Sequence, residues 1–458
     1  MKIRTALFQK YNLPVPRYTS YPPATAFHSA FGANNYIEQL KRSNTQNPQN
    51  ISVYIHIPFC TQRCHFCGCN TVISQTEDRI ERYVNAVVAE IKMTAKYIDK
   101  KRLITQISWG GGTPNSIDLK HIEKIMNALR EEFVFADYAE IAMECSPAYL
   151  DFSDVDILSG IGFNRISLGI QDFHQNVLDA INRRAPKQEV GAMLDYMRSK
   201  GFRGLNLDLV YGLPLQTIES YSENIDRIIE LKPDRLATFS YAHIPWFNEA
   251  QKLMEHLTFP TPEQKLEMLA LTINKLSENG YEVIGMDHFA LKNDDLAIAK
   301  NSGQLHRNFQ GYNTLHTTGQ VYAFGASGIS QLHGAYAQNI KQYDLYTKAI
   351  ESGNFAVERG YELSTKEIII RDTINQIMCN GELDFEKTAA SYNITMEKYN
   401  EITQFDASKL EMMLADGLVE INNQVLTVSA LGMMVVRNVA VAFDPEYKQV
   451  TNKFSTTL

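Results

Sequence analysis

Cysteine is scarce in this chain. Six of 458 residues carry a thiol, too few for a disulfide scaffold. Basic residues are outnumbered: 44 Lys and Arg against 52 Asp and Glu leave a formal net charge of -8. That balance argues against a general nucleic-acid or anionic-membrane surface, although a local basic pocket is compatible with it. Long apolar runs are missing as well. The most apolar late stretch, "GMMVVRNVAVAF", is broken by Arg437 and Asn438 and falls short of the roughly 20 residues of a membrane span. The opening "MKIRTALFQKYNLP" has no apolar h-region followed by a small-residue cleavage site. A cytoplasmic protein without a membrane span is expected. With 44% hydrophobic and 21% charged residues, the composition is that of an ordinary globular protein long enough for two or three domains.

What is present is a rhythm. Residues 1–50 show little periodicity and contain "PRYTSYPP", so an extended arm with tight turns is expected. Its aromatic content favours an arm that packs on something. From Ile51 short apolar runs recur: 51–57, 103–109, 139–145, 164–171, 204–212 and 235–243, with 281–290 as a seventh candidate strand. Helical patterns lie between them at 77–93, about 118–134, 187–200, 217–231 and 262–279. Ser74 and Glu77 offer a capping box for the first of these. Strand–helix alternation over more than 200 residues implies parallel βαβ units, closed as a partial barrel or left as an open doubly wound sheet. Polar residues gather at strand ends, at Glu144, Gln171, Asp208 and Tyr241. In a parallel barrel those ends carry the chemistry.

The rhythm stops near 290. Residues 291–360 are rich in Asn, Gly, Gln and Tyr and read as a barrel extension. From 361 the pattern is helical and ends in "LVEINNQVLTVSALG", two short strands around an Asn-Asn turn. The expected organisation is an arm at 1–50, a βα barrel at 51–290, an extension at 291–360 and a mostly helical, winged-helix-like domain at 361–458. On an acidic chain that last domain reads as a packing module with no nucleic-acid partner.

Four of the six cysteines crowd into "HIPFCTQRCHFCGCN", at Cys60, Cys64, Cys67 and Cys69. Structural zinc normally takes two separated ligand pairs, and no second pair follows. A thioredoxin-like Cys-x2-Cys would use Cys64 and Cys67 and leave Cys60 unexplained. An iron–sulfur cluster takes closely spaced thiolates from one loop, and Cys-x3-Cys-x2-Cys lets one loop hold three corners of a cubane.

"CTQRCHFC", with Phe66 before the third cysteine, resembles the signature of radical S-adenosylmethionine (SAM) enzymes. "YIHIPFC", "FCGCN", "RYTSYPP", "WGGGTP", "SLGIQDF", "NLDLVYGLP", "FSYAHIPW", "MDHFA" and "RNFQGYNT" further resemble the oxygen-independent coproporphyrinogen III oxidases (dehydrogenases) of haem biosynthesis. The likeness runs from about residue 10 to the C-terminus. It implies a [4Fe–4S] cluster on Cys60, Cys64 and Cys67, with an open iron for exchangeable SAM. It implies two SAM molecules per chain. Cofactor contacts then fall on Tyr54, Phe66, Gly68, Gly111, Gly112, Thr113, Glu144, Gln171, Arg183, Asp208, Ala242 and Ile329. Arg183 is preferred over Arg184 from its place after Asn182. Where the family continues after the glutamate with an Asp-Pro-Arg-like turn, this chain reads "CSPA".

Catalytic roles are implied for Cys69, Tyr54 and His56. The implied reaction is oxidative decarboxylation of two propionates of coproporphyrinogen III to vinyl groups by a 5′-deoxyadenosyl radical, giving protoporphyrinogen IX. It needs a reducing electron donor such as flavodoxin and an unidentified electron acceptor. A monomer is expected. Arg17, Tyr18 and Tyr21 offer a cation and two aromatic faces suited to a propionate-bearing ring. Two rivals share the scaffold: a haem-binding chaperone, against which Cys69 and the arm speak, and a radical SAM methylase or cyclopropanase.

Overall fold

The computed structural model describes residues 9–73 and 76–447. They divide into two compact units that do not follow chain order: Phe27–Met268 with Thr317–Glu362, and Met1–Ala26 with Leu269–His316 and Leu363–Leu458. The segment 291–360 is thus shared between them, and so is the expected arm, which divides after Ala26.

The first unit is built on six parallel strands: β1 (Ile51–Ile57), β2 (Leu103–Gly111), β3 (Val134–Cys145), β4 (Arg165–Gln171), β5 (Gly204–Tyr211) and β6 (Arg235–Ser240). They lie side by side in sequential order. Right-handed crossovers that always step the same way put every helix on the same face. A doubly wound sheet would reverse direction partway, so the strand order decides for the partial-barrel arrangement. Gln320–Phe324 pairs parallel with β1 on its other side. Ile329–Leu332, Ala335–Asn339 and Val357–Glu362 extend the sheet antiparallel from there.

The helices follow their apolar faces. Glu77–Ala95 buries Ile80, Tyr83, Val84, Val87 and Ile91. Its N-cap is Thr76; the expected cap Ser74 lies outside the described residues. Phe152–Ile161, between β3 and β4, starts at a capping box of Asp151 and Asp154 and stops at Gly162 in the left-handed region. This helix has no counterpart in the periodicity reading, because its ten residues carry almost no amphipathic contrast. β1 is buried on nearly every residue, so its Ser52–Tyr54–His56 side is covered rather than wet.

The second unit gathers the arm up to Ala26 and the C-terminal elements. Tyr18 and Tyr21 are 7% and 3% exposed. Tyr18 donates to Asp444 at 2.9 Å, Arg437 donates to the Val15 carbonyl and Asn438 to that of Tyr11. The two tyrosine rings are therefore core of this unit and not free faces for a ligand; Arg17 is exposed. The expected seventh strand at 281–290 is instead an antiparallel hairpin, Tyr281–Gly285 with His288–Leu291, turned at Met286 with φ of 48°. A two-residue turn leaves no length for a parallel crossover. Thr365–Asn380, Glu382–Asp384, Phe385–Ser391 and Met396–Thr403 precede a hairpin of Val419–Asn422 and Val425–Val428. The three short strands form one sheet with Val425–Val428 in the centre, the winged-helix order of elements. Among the described residues no helix is long and apolar enough to cross a membrane.

Candidate functional site at the ends of the parallel strands

β1 runs straight into the cysteine loop, and the loop is held from three directions. The Cys60 N–H donates to the Val72 carbonyl and Val72 N–H to that of Pro58, so the chain leaving the loop pairs with the chain entering it. His65 N–H donates to the Ile181 carbonyl at 2.9 Å, while Asn182 donates to that of Arg63 and receives Gln62. Asn248 donates to the Cys67 carbonyl at 2.8 Å and accepts from Arg63 at 3.1 Å. Asn248 carries no motif that would mark it in sequence; only the folded chain brings it to the loop.

The thiols stand in unlike surroundings. Burial pushes Cys60 up to about 11, and its sulfur lies 3.4 Å from Thr113 Oγ1. Burial also raises Cys64, with Arg183 opposing the shift; Arg183 Nη1 approaches its sulfur at 3.6 Å. Cys67 is pushed down to about 6, first by the hydrogen bond from Cys69, whose backbone N–H also points at Cys67 Sγ. Among the described residues no three His, Cys, Asp or Glu side chains converge as they would on a single metal ion. A cluster asks something different, one thiolate on each of several irons.

The glycine run ends β2 and turns against this loop. Gly112 and Thr113 donate their N–H groups to the Ile57 and Phe59 carbonyls. Gly111 has φ of 114°, and a Cβ there would stand 2.7–2.9 Å from the His56 ring atoms. Only glycine combines that backbone with that approach. His56 is held between Tyr54 Oη at 3.2 Å and the Asn70 carbonyl at 3.1 Å, and burial lowers its pKa to about 4. The neutral ring can therefore donate from one nitrogen and accept at the other.

Glu144, next to the end of β3, is open to solvent, yet the protein around it raises its carboxyl to about 7 by desolvation, then by the charge of Asp208, with the Gly111 N–H opposing. Gln171 closes β4 with φ of 70°. A Cβ on Gly169 would meet Gln171 Nε2 at 2.7 Å and Arg183 Nη2 at 2.8 Å, so the space over this glycine belongs to those two side chains. Arg183 also donates to the Gly169 carbonyl. Arg184 turns away and lies over the Tyr149 ring. Asp208 on β5 accepts from Ser167 at 2.8 Å and Asn206 at 2.7 Å, so this half-buried carboxylate is satisfied inside the protein; sequence reasoning missed both donors. Burial still raises its pKa.

Four assigned positions show less. Phe66 packs against the apolar cluster of Val177, Leu178, Ile181 and Tyr241. Gly68 has open space where a Cβ would lie. Ala242 is exposed just beyond β6, its carbonyl receiving Gln251. Ile329 opens the strand Ile329–Leu332. Cys145 is buried, a small core residue.

Thiols on one loop, a backbone cradle that side chains would fill, and two strand carboxylates, one exposed and one half-buried, match the donor set for a cluster and an amine-bearing cofactor. Comparison with known proteins agrees. The Radical SAM superfamily profile matches residues 54–228. The oxygen-independent coproporphyrinogen III oxidase of Synechocystis is 39% identical over 96% of this chain and 94% of its own. That of Escherichia coli is 38% identical over 97% and 95%, and that of Helicobacter pylori strain J99 34% identical over 98% of both. The solved structure of coproporphyrinogen III oxidase from Escherichia coli, described as a radical SAM enzyme, matches with a TM-score of 0.89 at 35% identity, covering 98% of this chain and 100% of that one. The chain belongs to the oxygen-independent coproporphyrinogen III oxidase family of the radical SAM superfamily.

Proposed function

We propose that this chain converts two propionates of coproporphyrinogen III to vinyl groups without oxygen, yielding protoporphyrinogen IX for haem biosynthesis. Each propionate loses CO2 and one β-hydrogen atom, and one electron passes to an acceptor. The C–H bonds are unactivated, beyond the reach of an acid or base at protein pKa values. Family membership brings a [4Fe–4S] cluster and SAM, which when bound supply a carbon radical able to take that hydrogen.

The residues divide the remaining work. Cys60, Cys64 and Cys67 hold the cluster, leaving one iron for SAM. The backbone of Gly111–Thr113 and the Glu144 carboxylate take the SAM amine. Gln171, Arg183 and Asp208 line the same side, and Ala242, Ile329, Phe66 and Gly68 complete the cofactor walls. Tyr54 and His56 stand toward a second SAM and the substrate, and Cys69 serves turnover. The chain acts in the cytoplasm as a monomer, with electrons from a donor such as flavodoxin.

The observation that carries this reading is the meeting of the cysteine loop, the glycine run and Glu144 at the ends of β1, β2 and β3. The test is an anaerobic assay of reconstituted protein with SAM, a reductant and coproporphyrinogen III. Two CO2 per protoporphyrinogen IX are expected. Haem binding without CO2 would make the chain a haem chaperone, and methyl transfer without vinyl product a methylase relative.

A further inference from the structure

Glu90 is a buried carboxyl that the reaction above does not use. It lies on helix Glu77–Ala95, two turns beyond Tyr83 on the same face, with 2% exposure against 0% for the tyrosine. A carboxylate out of water is costly unless hydrogen-bonded. Here one oxygen accepts from the Gly325 N–H at 2.9 Å and the Tyr346 hydroxyl at 2.7 Å. The other accepts from Asn339 at 2.7 Å. These donors come from a turn, a helix and a strand. Three converging donors suit a group that only accepts.

The partners of Glu90 and Tyr83 converge on one turn, Gly325–Gly328, between two strands of the large sheet. Tyr83 Oη accepts from the Ala326 N–H at 2.9 Å and donates to the His56 carbonyl at 2.7 Å. Asn339 also donates to the Gly325 carbonyl at 3.0 Å, and its own N–H reaches the Gly328 carbonyl. Gly325 has φ of 100° and Ser327 of 62°. A Cβ on Gly325 would stand 2.5 Å from Tyr83 Oη and 2.6 Å from the His56 carbonyl. The turn is thus pressed against the end of β1, and Ile329 follows it directly.

We propose that Glu90 and Tyr83 are positioning residues of the cofactor site. They clamp the Gly325–Gly328 turn to β1, and so set where Ile329 and the Tyr54–His56 pair stand toward SAM. This rests on the assignment of those residues to SAM. Packing alone would be served equally by Phe at 83, which keeps the ring and loses only the hydroxyl.

The experiment uses the cluster-loaded protein, kept anaerobic and well below its melting temperature. Tyr83→Phe and Glu90→Gln are compared with the parent for amide exchange across 321–332, SAM binding by equilibrium dialysis, and iron content. In Tyr83→Phe exchange at Ala326 should quicken and SAM should bind about tenfold more weakly, the scale of one or two lost hydrogen bonds, with iron unchanged. The double variant should lose less than the sum of the two, because both act through one turn. Parent-like exchange and SAM affinity in Tyr83→Phe overturn the proposal. Faster exchange with unchanged SAM affinity overturns it too, leaving a clamp with no part in the site. If Glu90→Gln does not fold, Tyr83→Phe and Tyr346→Phe decide by the same readouts. Failure of the parent protein itself to bind SAM would instead sink the functional reading on which this rests.

Discussion

Gly110 on β2 and Glu144 on β3 share one space: a Cβ at position 110 would stand 2.7 Å from Glu144 Oε2. The carboxylate occupies the volume that any larger residue would take. Its end is the flexible part of the pair, so Gly110→Ala should move the carboxylate more than the backbone. The expected result is SAM binding weakened about tenfold or more, with iron content kept and stability lowered by about 1–3 kcal/mol. Gly112→Ala meets the Pro58 and Phe59 backbone at 2.7–2.8 Å and must shift the entry to the cysteine loop. Iron content should fall in that variant and not in the first; equal iron in both would show that the loop tolerates the shift.

Glu144 gives the site a pH dependence. Desolvation by the surrounding protein, then the charge of Asp208, raises its pKa to about 7. In the proposed role of Glu144, the carboxylate is the form that would pair with the SAM ammonium. Below pH 7 the free protein holds a proton there that binding must displace, so affinity should climb as pH rises toward 7 and then level off. About a tenfold change between pH 6 and pH 8 is expected, one unit of proton linkage. Equilibrium dialysis at both pH values checks it, and Glu144→Gln should bind weakly with a flat profile.

The cysteines should separate into three and one. Replacing Cys60, Cys64 or Cys67 by Ala should abolish the cluster spectrum. Cys69→Ser should keep the iron and lose most vinyl product, because a fourth thiolate two residues after Cys67 would occupy the iron that SAM needs. Loss of about a quarter of the iron, one ligand's share of a cubane, would make Cys69 a ligand instead.

The arm should behave as core. Tyr18→Phe leaves the Asp444 carboxylate without its 2.9 Å donor and should cost about 1–2 kcal/mol. Deleting residues 9–26 removes Tyr11, Val15, Tyr18 and Tyr21 from the buried set and should lower the melting temperature sharply. A truncated chain with the parent melting temperature would show that the arm contributes nothing to the core.

Much of this protein was written locally in its sequence. The six parallel strands follow from short apolar runs separated by amphipathic helices, and the cysteine spacing with its glycine run and strand-end carboxylate marked the family. These are properties of neighbours along the chain, where side-chain period and spacing act directly. Tertiary structure decided the rest, because it depends on which distant groups meet. Periodicity alone could not separate a partial barrel from a doubly wound sheet; strand order agrees with the barrel that the family resemblance implied. Sequence placed Asp208 in a strand but not beside Ser167 and Asn206, and it preferred Arg183 over Arg184 without showing that only Arg183 turns to Cys64. It read 281–290 as one more strand, since period two is the same in a hairpin and in a crossover strand. It offered Tyr18 and Tyr21 as free faces because nothing near them in the chain reveals Asp444, more than 420 positions away. Periodicity records which side of an element is buried; only the fold records what buries it.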